Sequence, residues 1–291
     1  MIPVYYLTVM IFICINTLLS LSIGVITGYA GQASLGQAAF MGIGAYATAF
    51  LITKCGLSCW VSAPISVFIV TIIGFGLGVI SLRLKEDFLA ISTLGLNFIF
   101  VGIFLYTPFF GRALGMSVPT LTLFGNPLNR MEFFILCLGV VVIATLVIWW
   151  LQRSWVGLAW RAIREVQEIA EVMGVNVPKF KILAFLISTA LAGIAGVLYA
   201  HFILFITPSD FVLANSIFAL TLAIFGGLGT IRGPILGAII LTLLPEFLRF
   251  IQNYRNLTYG LLLVIILLFQ PQGLFGDKSF LWRRLKALLG R

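Results

Sequence analysis

The sequence contains few charged residues, which excludes most soluble classes of protein. Only 9% of its 291 residues are charged and 61% are hydrophobic, whereas a soluble domain averages about 25% charged residues. The apolar runs are about 20 residues long, as membrane-crossing helices require; barrel strands would be roughly 9–11 residues long with alternating polarity. The composition therefore predicts an all-α integral membrane protein.

Histidine and cysteine are also scarce, so the usual enzyme and metal sites have no residues to form them. The chain has one histidine, His201, and no Ser-His-Asp arrangement, His-Glu-x-x-His motif or metal-ligand cluster. We interpret His201 as an interfacial histidine held by a hydrogen bond. Cys14 and Cys137 lie in apolar runs as small hydrophobic residues, whereas a disulfide is one alternative for Cys55 and Cys59. We expect neither an enzyme nor a metal protein.

A phosphate-binding loop is missing from the sequence as well. The pattern Gly-x-x-x-x-Gly-Lys-Ser/Thr does not occur, so any ATP hydrolysis that drives this protein has to take place in another chain. The net charge of +9 indicates membrane topology rather than nucleic-acid binding, because no solvated basic domain is present. The start, "MIPVYYLTVM", lacks signal-peptide features and is expected to be a retained helix.

The apolar residues form about nine predicted transmembrane helices, with a range of eight to ten, in one domain over residues 1–291. The segments lie at about 5–26, 36–53, 61–82, 88–108, 131–151, 182–206, 212–230, 233–250 and 257–271. Thirteen of the eighteen basic residues follow the third, fifth, seventh and ninth segments. The positive-inside rule then predicts a cytoplasmic C-terminus, with a short tail at 276–291, and an N-terminus outside.

A glycine-rich stretch, "GYAGQASLGQAAFMGIGAY" (residues 28–46), follows the first apolar segment. Such residues favour irregular backbone, which a membrane tolerates only inside protein or beside a water-filled cavity. Close helix packing through small residues is the alternative, and both roles can hold together. The stretch predicts a helix break on a translocation pathway. The candidate residues for the break and the pathway, two of them on a later segment, are Gly28, Gly31, Gln32, Ser34, Gly36, Gln37, Thr93 and Asn97. A second, less similar glycine-rich stretch, "FGGLGTIRGPILGA", occupies residues 225–238.

A cytoplasmic loop, residues 153–181, is too polar to cross a membrane. Its 160–173 portion predicts an amphipathic helix with pairs four residues apart, Arg161–Glu165 and Arg164–Glu168, and Gly174 suits its end. The apolar face would comprise Ala159, Ile163, Val166, Ile169, Ala170 and Met173. Mixed charge favours docking on a partner protein over lying on the lipid surface.

The membrane segments hold polar but uncharged residues where an ion-coupled carrier usually has ionisable ones. These residues include Asn16, Thr17, Ser20, Thr93, Asn97, Ser188, Thr189, Asn215 and Ser216. They can hydrogen-bond a neutral or zwitterionic solute, or link helices. The lack of ionisable residues makes an ion-coupled carrier less favoured. A sodium site made of carbonyl and hydroxyl oxygens is still an alternative.

Several motifs, in order along the chain, resemble the permease subunits of branched-chain amino acid ABC transporters. They are "GYAGQASLGQAAFMGIGAY", "EDFLAISTLG", "GMSVPTLTLFG", the segment from "WRAIREVQEIAEVMG" to "AGVLYA", "FGGLGTIRGPILGA", "LPEFLR" and "QPQGLFG". Glu168-Ile169-Ala170 followed by Gly174 is similar to the pattern by which importer permeases contact their ATPase. Phe98 departs from the family, in which many members have Glu.

The resemblance implies an inner-membrane permease that imports leucine, isoleucine and valine. It implies two ATPase subunits that bind ATP and Mg²⁺, a second related permease, a periplasmic binding protein and surrounding lipid. The ATPase-coupling residues would be Arg161, Arg164, Glu165, Glu168, Ala170 and Gly174. Alternatives are a permease for urea, an amide or another amino acid, an ion-coupled carrier or channel, and a membrane scaffold.

Overall fold

A computed structural model describes residues 4–82, 86–123, 126–247, 255–270 and 273–276. The α-helices are α1 (Val4–Ile23), α2 (Gln37–Thr53), α3 (Cys59–Ser81), α4 (Glu86–Tyr106), α5 (Arg130–Arg153), α6 (Trp155–Glu165), α7 (Gln167–Val172), α8 (Val177–Ile203), α9 (Leu213–Gly226), α10 (Arg232–Phe247) and α11 (Arg255–Phe269). Two-residue strands pair antiparallel in the loops: β1 (Met116–Ser117) with β4 (Phe205–Ile206), and β2 (Thr122–Leu123) with β3 (Asn126–Pro127).

Each of the nine predicted apolar segments coincides with a helix. Within the described ranges, six helical stretches are long and apolar enough to cross a membrane: Val4–Tyr29, Cys59–Ser81, Phe88–Tyr106, Arg130–Arg153, Val177–Ile203 and Pro208–Gly226. Three apolar helices are shorter, at Gln37–Thr53, Arg232–Pro245 and Leu257–Ile266. The architecture is that of an all-α membrane protein, while the number of crossings and the side of each terminus stay predictions.

The centre of the bundle is built around α2 and α8. Gly44 of α2 lies against Gly193 of α8 so closely that an added Cβ would be 2.5 Å from the Gly193 carbonyl oxygen. One turn further along α8, Gly196 meets the Met41 carbonyl oxygen in the same way. Small residues therefore allow the two backbones to touch, as in other packed membrane helices.

The helices α3, α4 and α5 form an outer layer around this centre. Large apolar side chains such as Phe68, Phe98 and Ile143 are exposed on them. The inward face of α3 carries mostly small or polar residues instead, and Gly74 lies against Thr189 of α8; α4 and α5 also bury large apolar residues such as Phe104 and Phe133. This distribution suits helices with one face toward lipid and one toward the bundle.

Candidate functional site

The predicted helix break is present between α1 and α2. A π-helical turn, Gly24–Tyr29, extends α1, and the chain then stays non-helical until α2 begins at Gln37. Gly31 takes a left-handed conformation with φ of 71°, which glycine adopts without strain. We call residues 28–36 the first glycine segment.

Buried polar side chains hold the first glycine segment in place. The amide N–H of Leu35 donates to Thr93 Oγ1 at 3.0 Å, and the N–H of Ala38 donates to Ser216 Oγ at 3.0 Å. Asn97 Nδ2 also donates to Ser216 Oγ, at 3.4 Å. These bonds satisfy backbone groups that the break removes from helical pairing, as a membrane interior requires.

A second chain of contacts fixes the start of α2. Gln37 Nε2 donates to Ser188 Oγ at 3.0 Å, and Gln37 Oε1 lies 3.2 Å from Ser22 Oγ. Sequence reasoning did not assign Ser22, Ser188 or Ser216 to the site, because each lies on another helix and no local motif connects it to the break. Their only signal was polarity within an apolar run.

The predicted pathway side chains lie inside the protein rather than on an open surface. Gln32, Ser34, Gln37, Thr93 and Asn97 are all at most 2% exposed. Gln32 Oε1 and Asn97 Oδ1 have no hydrogen-bond partner among the described residues. The geometry gives this group a bracing role, and a direct contact with solute stays a prediction.

The second glycine-rich stretch of the sequence lies against the first glycine segment. We call residues 226–237 the second glycine segment. Gly229 has φ of 88°, and a Cβ added at Gly28 would lie 2.9 Å from the Gly229 nitrogen. Gly226 and Gly233 approach each other as closely, and Gly237 lies against the Leu222 carbonyl oxygen. The two segments therefore pack together although about 200 residues separate them.

The prediction of one continuous helix over residues 160–173 is wrong. The helix α6 starts at Trp155 and ends at Glu165, and Val166 adopts an extended conformation (φ −150°, ψ 103°) before α7 begins. Arg164 and Glu168 consequently lie on different helices. Helix propensity was overridden by tertiary contacts: Lys181 Nζ donates to Gln167 Oε1 at 2.6 Å and holds the start of α7 against α8.

The break at Val166 divides the predicted apolar face in two. Ala159, Ile163 and Ala170 are buried, so Ala170 supports the segment from inside and offers no surface to a partner. Val166, Ile169 and Met173 are exposed, together with Val172. Gly174 ends α7 with φ of 84°, as its sequence position predicts.

Arg164 joins this segment to both glycine segments. Its Nη1 donates to the Gly28 carbonyl oxygen at 2.5 Å. A Cβ added at Gly31 would lie 3.5 Å from the Arg164 Cα, and one at Gly229 would overlap the guanidinium. Arg161, by contrast, donates to the Gln152 carbonyl oxygen at 3.3 Å. Of the two arginines, Arg164 reaches the break.

Trp160 fixes the position of α6 on the bundle. Its side chain is buried, and its Nε1 donates to the Phe180 carbonyl oxygen at 2.8 Å near the start of α8. The helix α6 therefore contacts α8 through Trp160 as well as the first glycine segment through Arg164.

The remaining predicted features are placed as follows. His201 Nδ1 lies 3.3 Å from the Pro119 carbonyl oxygen. Cys55 and Cys59 are free thiols, and the described residues contain no cluster of potential metal ligands. The topology prediction used several basic residues that lie outside the described residues, namely Arg83, Lys85, Arg249 and those of 277–291. The tail beyond residue 276 also lies outside them.

The amino-acid sequence of this chain is similar to those of known proteins. The family model for the permease component of branched-chain amino acid transport systems matches residues 5–269. The high-affinity branched-chain amino acid transport system permease protein LivM of Escherichia coli is 36% identical over 287 residues, covering 89% of this chain and 67% of LivM.

Other relatives match over different lengths. A probable branched-chain amino acid transport permease protein LivH of Methanocaldococcus jannaschii is 26% identical, covering 94% of this chain and 92% of LivH. The permease protein BraD of Pseudomonas aeruginosa is 32% identical over about half of each chain. No solved structure matches. With the family model covering most of its length, the chain belongs to the family of branched-chain amino acid transport permeases.

Proposed function

We propose that this chain is the permease subunit of an ATP-driven importer that moves leucine, isoleucine and valine across a bacterial inner membrane. The names of its relatives and the apolar helical bundle support this assignment. In the proposed assembly, two ATPase subunits bind ATP and Mg²⁺, a second related permease completes the membrane part, and a periplasmic binding protein delivers the amino acid. The loop containing α6 and α7 lies on the cytoplasmic side.

The observation that carries the proposal is the position of Arg164. Its guanidinium binds the Gly28 carbonyl oxygen, and its side chain lies against Gly31 and Gly229. A displacement of α6 therefore changes contacts at the junction between α1 and α2. Only a partner that contacts two states of this junction differently can shift the equilibrium between them.

The surface that meets the ATPase is proposed to be the outward face of α7. Val172 is 90% exposed and Met173 is 77% exposed, and Ile169 is exposed beside them. The carboxylates of Glu168 and Glu171 border these apolar side chains. An apolar patch with a charged rim is the usual anatomy of a protein interface.

The first glycine segment is proposed to act as a hinge on the translocation pathway. Residues 31–36 lie outside both helices, and side chains on α4 and α9 hold the surrounding backbone while Ser188 on α8 holds the Gln37 side chain. Hydrogen bonds between side chains and backbone can exchange partners as a gate moves. The same residues keep the break satisfied in each state.

Capture of the ATPase tests the docking surface. A double variant, Ile169→Ser with Val172→Ser, should lose ATPase subunits from a pull-down of tagged chain in mild detergent. Both side chains are exposed, so the chain itself should fold. Leu114→Ser is the matched control, because Leu114 is 82% exposed at the opposite end of the bundle. Equal capture by all three proteins would contradict the docking surface.

A solute panel tests the substrate class. In a strain without branched-chain amino acid uptake, the complete transporter should restore leucine, isoleucine and valine import but not import of urea or acetamide. Transport by this chain alone, with no ATPase present, would instead identify an autonomous channel or carrier.

A further inference from the structure

Two cavities meet at the far end of the bundle, where α5 begins and α8 ends. One has a volume of about 380 Å³ and is lined by polar side chains, among them Thr8, Thr120 and Arg130, together with apolar ones. The other has a volume of about 240 Å³. Leu121, Phe133 and His201 line both cavities. Neither cavity includes residues of the glycine segments or of α6 and α7.

The second cavity is apolar and extends along the membrane helices. Its lining includes Val67 of α3, Val140 of α5 and Ile194 of α8. Val140 lies ten residues from Arg130 along α5, which corresponds to about 15 Å at 1.5 Å per residue. The first cavity, which we call the polar cavity for its Thr8, Thr120 and Arg130 although most of its lining is apolar, thus leads to an almost wholly apolar one deeper in the bundle.

The polar cavity contains a cation with an uncharged partner. Arg130 Nη1 donates to Thr8 Oγ1 at 3.1 Å. The nearby Glu132 carboxylate is engaged in capping α5, accepting from the Asn129 N–H at 2.9 Å. Arg130 is also the first residue of α5, where the helix dipole adds positive potential. This end of the cavity favours an anionic group.

His201 adds a requirement for a hydrogen-bond donor. Its side chain is 4% exposed, and Nε2 has no partner among the described residues. Because Nδ1 faces the Pro119 carbonyl oxygen at 3.3 Å, Nδ1 carries the proton in this contact and Nε2 is left as an acceptor. A buried acceptor without a donor is costly, so the occupant should offer an O–H or N–H.

We propose that one membrane phospholipid occupies both cavities, with its phosphate at Arg130, a head-group O–H or N–H at His201 Nε2 and an acyl chain along Val67, Val140 and Ile194. An amphiphile with a head and a tail matches the change from polar to apolar lining over about 15 Å. A free amino acid is too short to reach both ends. The bound lipid would fill the space between α3 and α5 over the surface of α8.

Head-group chemistry provides the first test and requires no variant. Phosphatidylglycerol and phosphatidylethanolamine carry O–H or N–H donors, whereas the trimethylated head of phosphatidylcholine carries none. When the delipidated full chain is titrated in detergent and followed by native mass spectrometry, the first two lipids should bind about tenfold more tightly than phosphatidylcholine. Equal binding of all three lipids, displacement by leucine, or equally tight binding of oleate would overturn the proposal.

Variants at the polar cavity provide the second test. Arg130→Gln and His201→Leu should each weaken phosphatidylglycerol binding by about tenfold. Arg112→Gln is the matched control, since it removes the same charge at the same end of the bundle from a residue outside both cavities. Unchanged binding in the first two variants would overturn the assignment of the head group.

A cavity-filling variant tests the tail. Ala63 lines the apolar cavity, so Ala63→Phe should reduce lipid retention without changing a polar group. Ile72→Phe is its control, because Ile72 is exposed elsewhere on α3. Equal lipid retention by the two variants would place the acyl chain outside the cavity and overturn the proposal.

Discussion

The two glycine segments differ in how closely their backbone packs against other backbone. Side-chain hydrogen bonds support both: Thr93 and Ser216 hold the first glycine segment and the start of α2, and Ser20 and Thr230 bond the second. In the second glycine segment, however, backbone also packs directly on backbone, as between Gly237 and the Leu222 carbonyl oxygen, and a Cβ has less room there than at Gly28 or Gly36. Hydrogen bonds can be exchanged for others, whereas a close-packed interface resists gradual deformation. The first segment is thus suited to move and the second to stay fixed while it does.

The largest effect is expected at the fixed segment. A side chain at Gly237 would overlap the Leu222 carbonyl oxygen, so Gly237→Val should force α9 and α10 apart and cost about 4 kcal/mol or more. Yield and thermal unfolding in detergent measure this loss. Gly76→Val is the control, because an added Cβ at Gly76 meets nothing within 4 Å; equal stability of the two variants would remove the distinction between the segments.

The next effect concerns movement rather than folding. Gly31 has φ of 71° with Arg164 beside it at ordinary contact distance, so Gly31→Val strains a single residue by about 1–2 kcal/mol. We expect this variant, and Gly36→Val, to assemble with partners but to lose amino acid uptake. Gly31→Asn tolerates the left-handed conformation better and should retain more uptake. Normal uptake by Gly31→Val would show that this segment does not move.

The proposed coupling depends on the contact between α6 and the break. Arg164→Gln removes the bond to the Gly28 carbonyl oxygen and should lower uptake about tenfold while ATP hydrolysis by the assembled transporter continues. Arg161→Gln removes an equal charge from the same helix, yet among the residues that the structure describes Arg161 binds the Gln152 carbonyl oxygen and not the break. Proteoliposomes in which both activities are measured distinguish the variants, and equal losses of uptake would contradict this role of Arg164.

The smallest effect is expected from a single bracing bond. Thr93→Val keeps the shape of the side chain but leaves the half-buried Leu35 N–H without its acceptor, at a cost of about 1 kcal/mol. Ser92→Ala, one residue earlier at a half-buried position, removes only a bond to the Phe88 carbonyl oxygen of its own helix and should change the free energy of unfolding less. Thermal unfolding of the purified variants compares them. If the two variants have the same free energy of unfolding, water or another group accepts the hydrogen bond of the Leu35 N–H in place of Thr93.

Much of the fold could be predicted because its signals are local. Nine runs of apolar residues predicted nine helices, and glycine density predicted the break before Gln37. Each of these features depends on residues within one turn or one helix. The number of membrane crossings stays a prediction, since length and apolarity alone do not place a bilayer.

What the sequence did not predict depends on contacts between distant residues. The extended conformation of Val166 is accompanied by the bond between Lys181 and Gln167, which local propensity does not contain. The partner of Arg164 was predicted to be Glu168, four residues away, and is instead a backbone oxygen 136 residues away. Every residue has a backbone carbonyl, so the sequence does not mark which carbonyl accepts the bond. A search for pairs of opposite charge could not identify it.

The close contact between α2 and α8 also bears on how the protein is made. About 150 residues separate Thr53, the end of α2, from Ile203, the end of α8. At 5–20 residues per second, the ribosome needs roughly 8 to 30 seconds to synthesise them. During that time α2, which is short and begins at the polar residue Gln37, lacks its main packing partner. Until α8 arrives, α3, which follows directly in the chain and also packs against α2, is the main partner that α2 has.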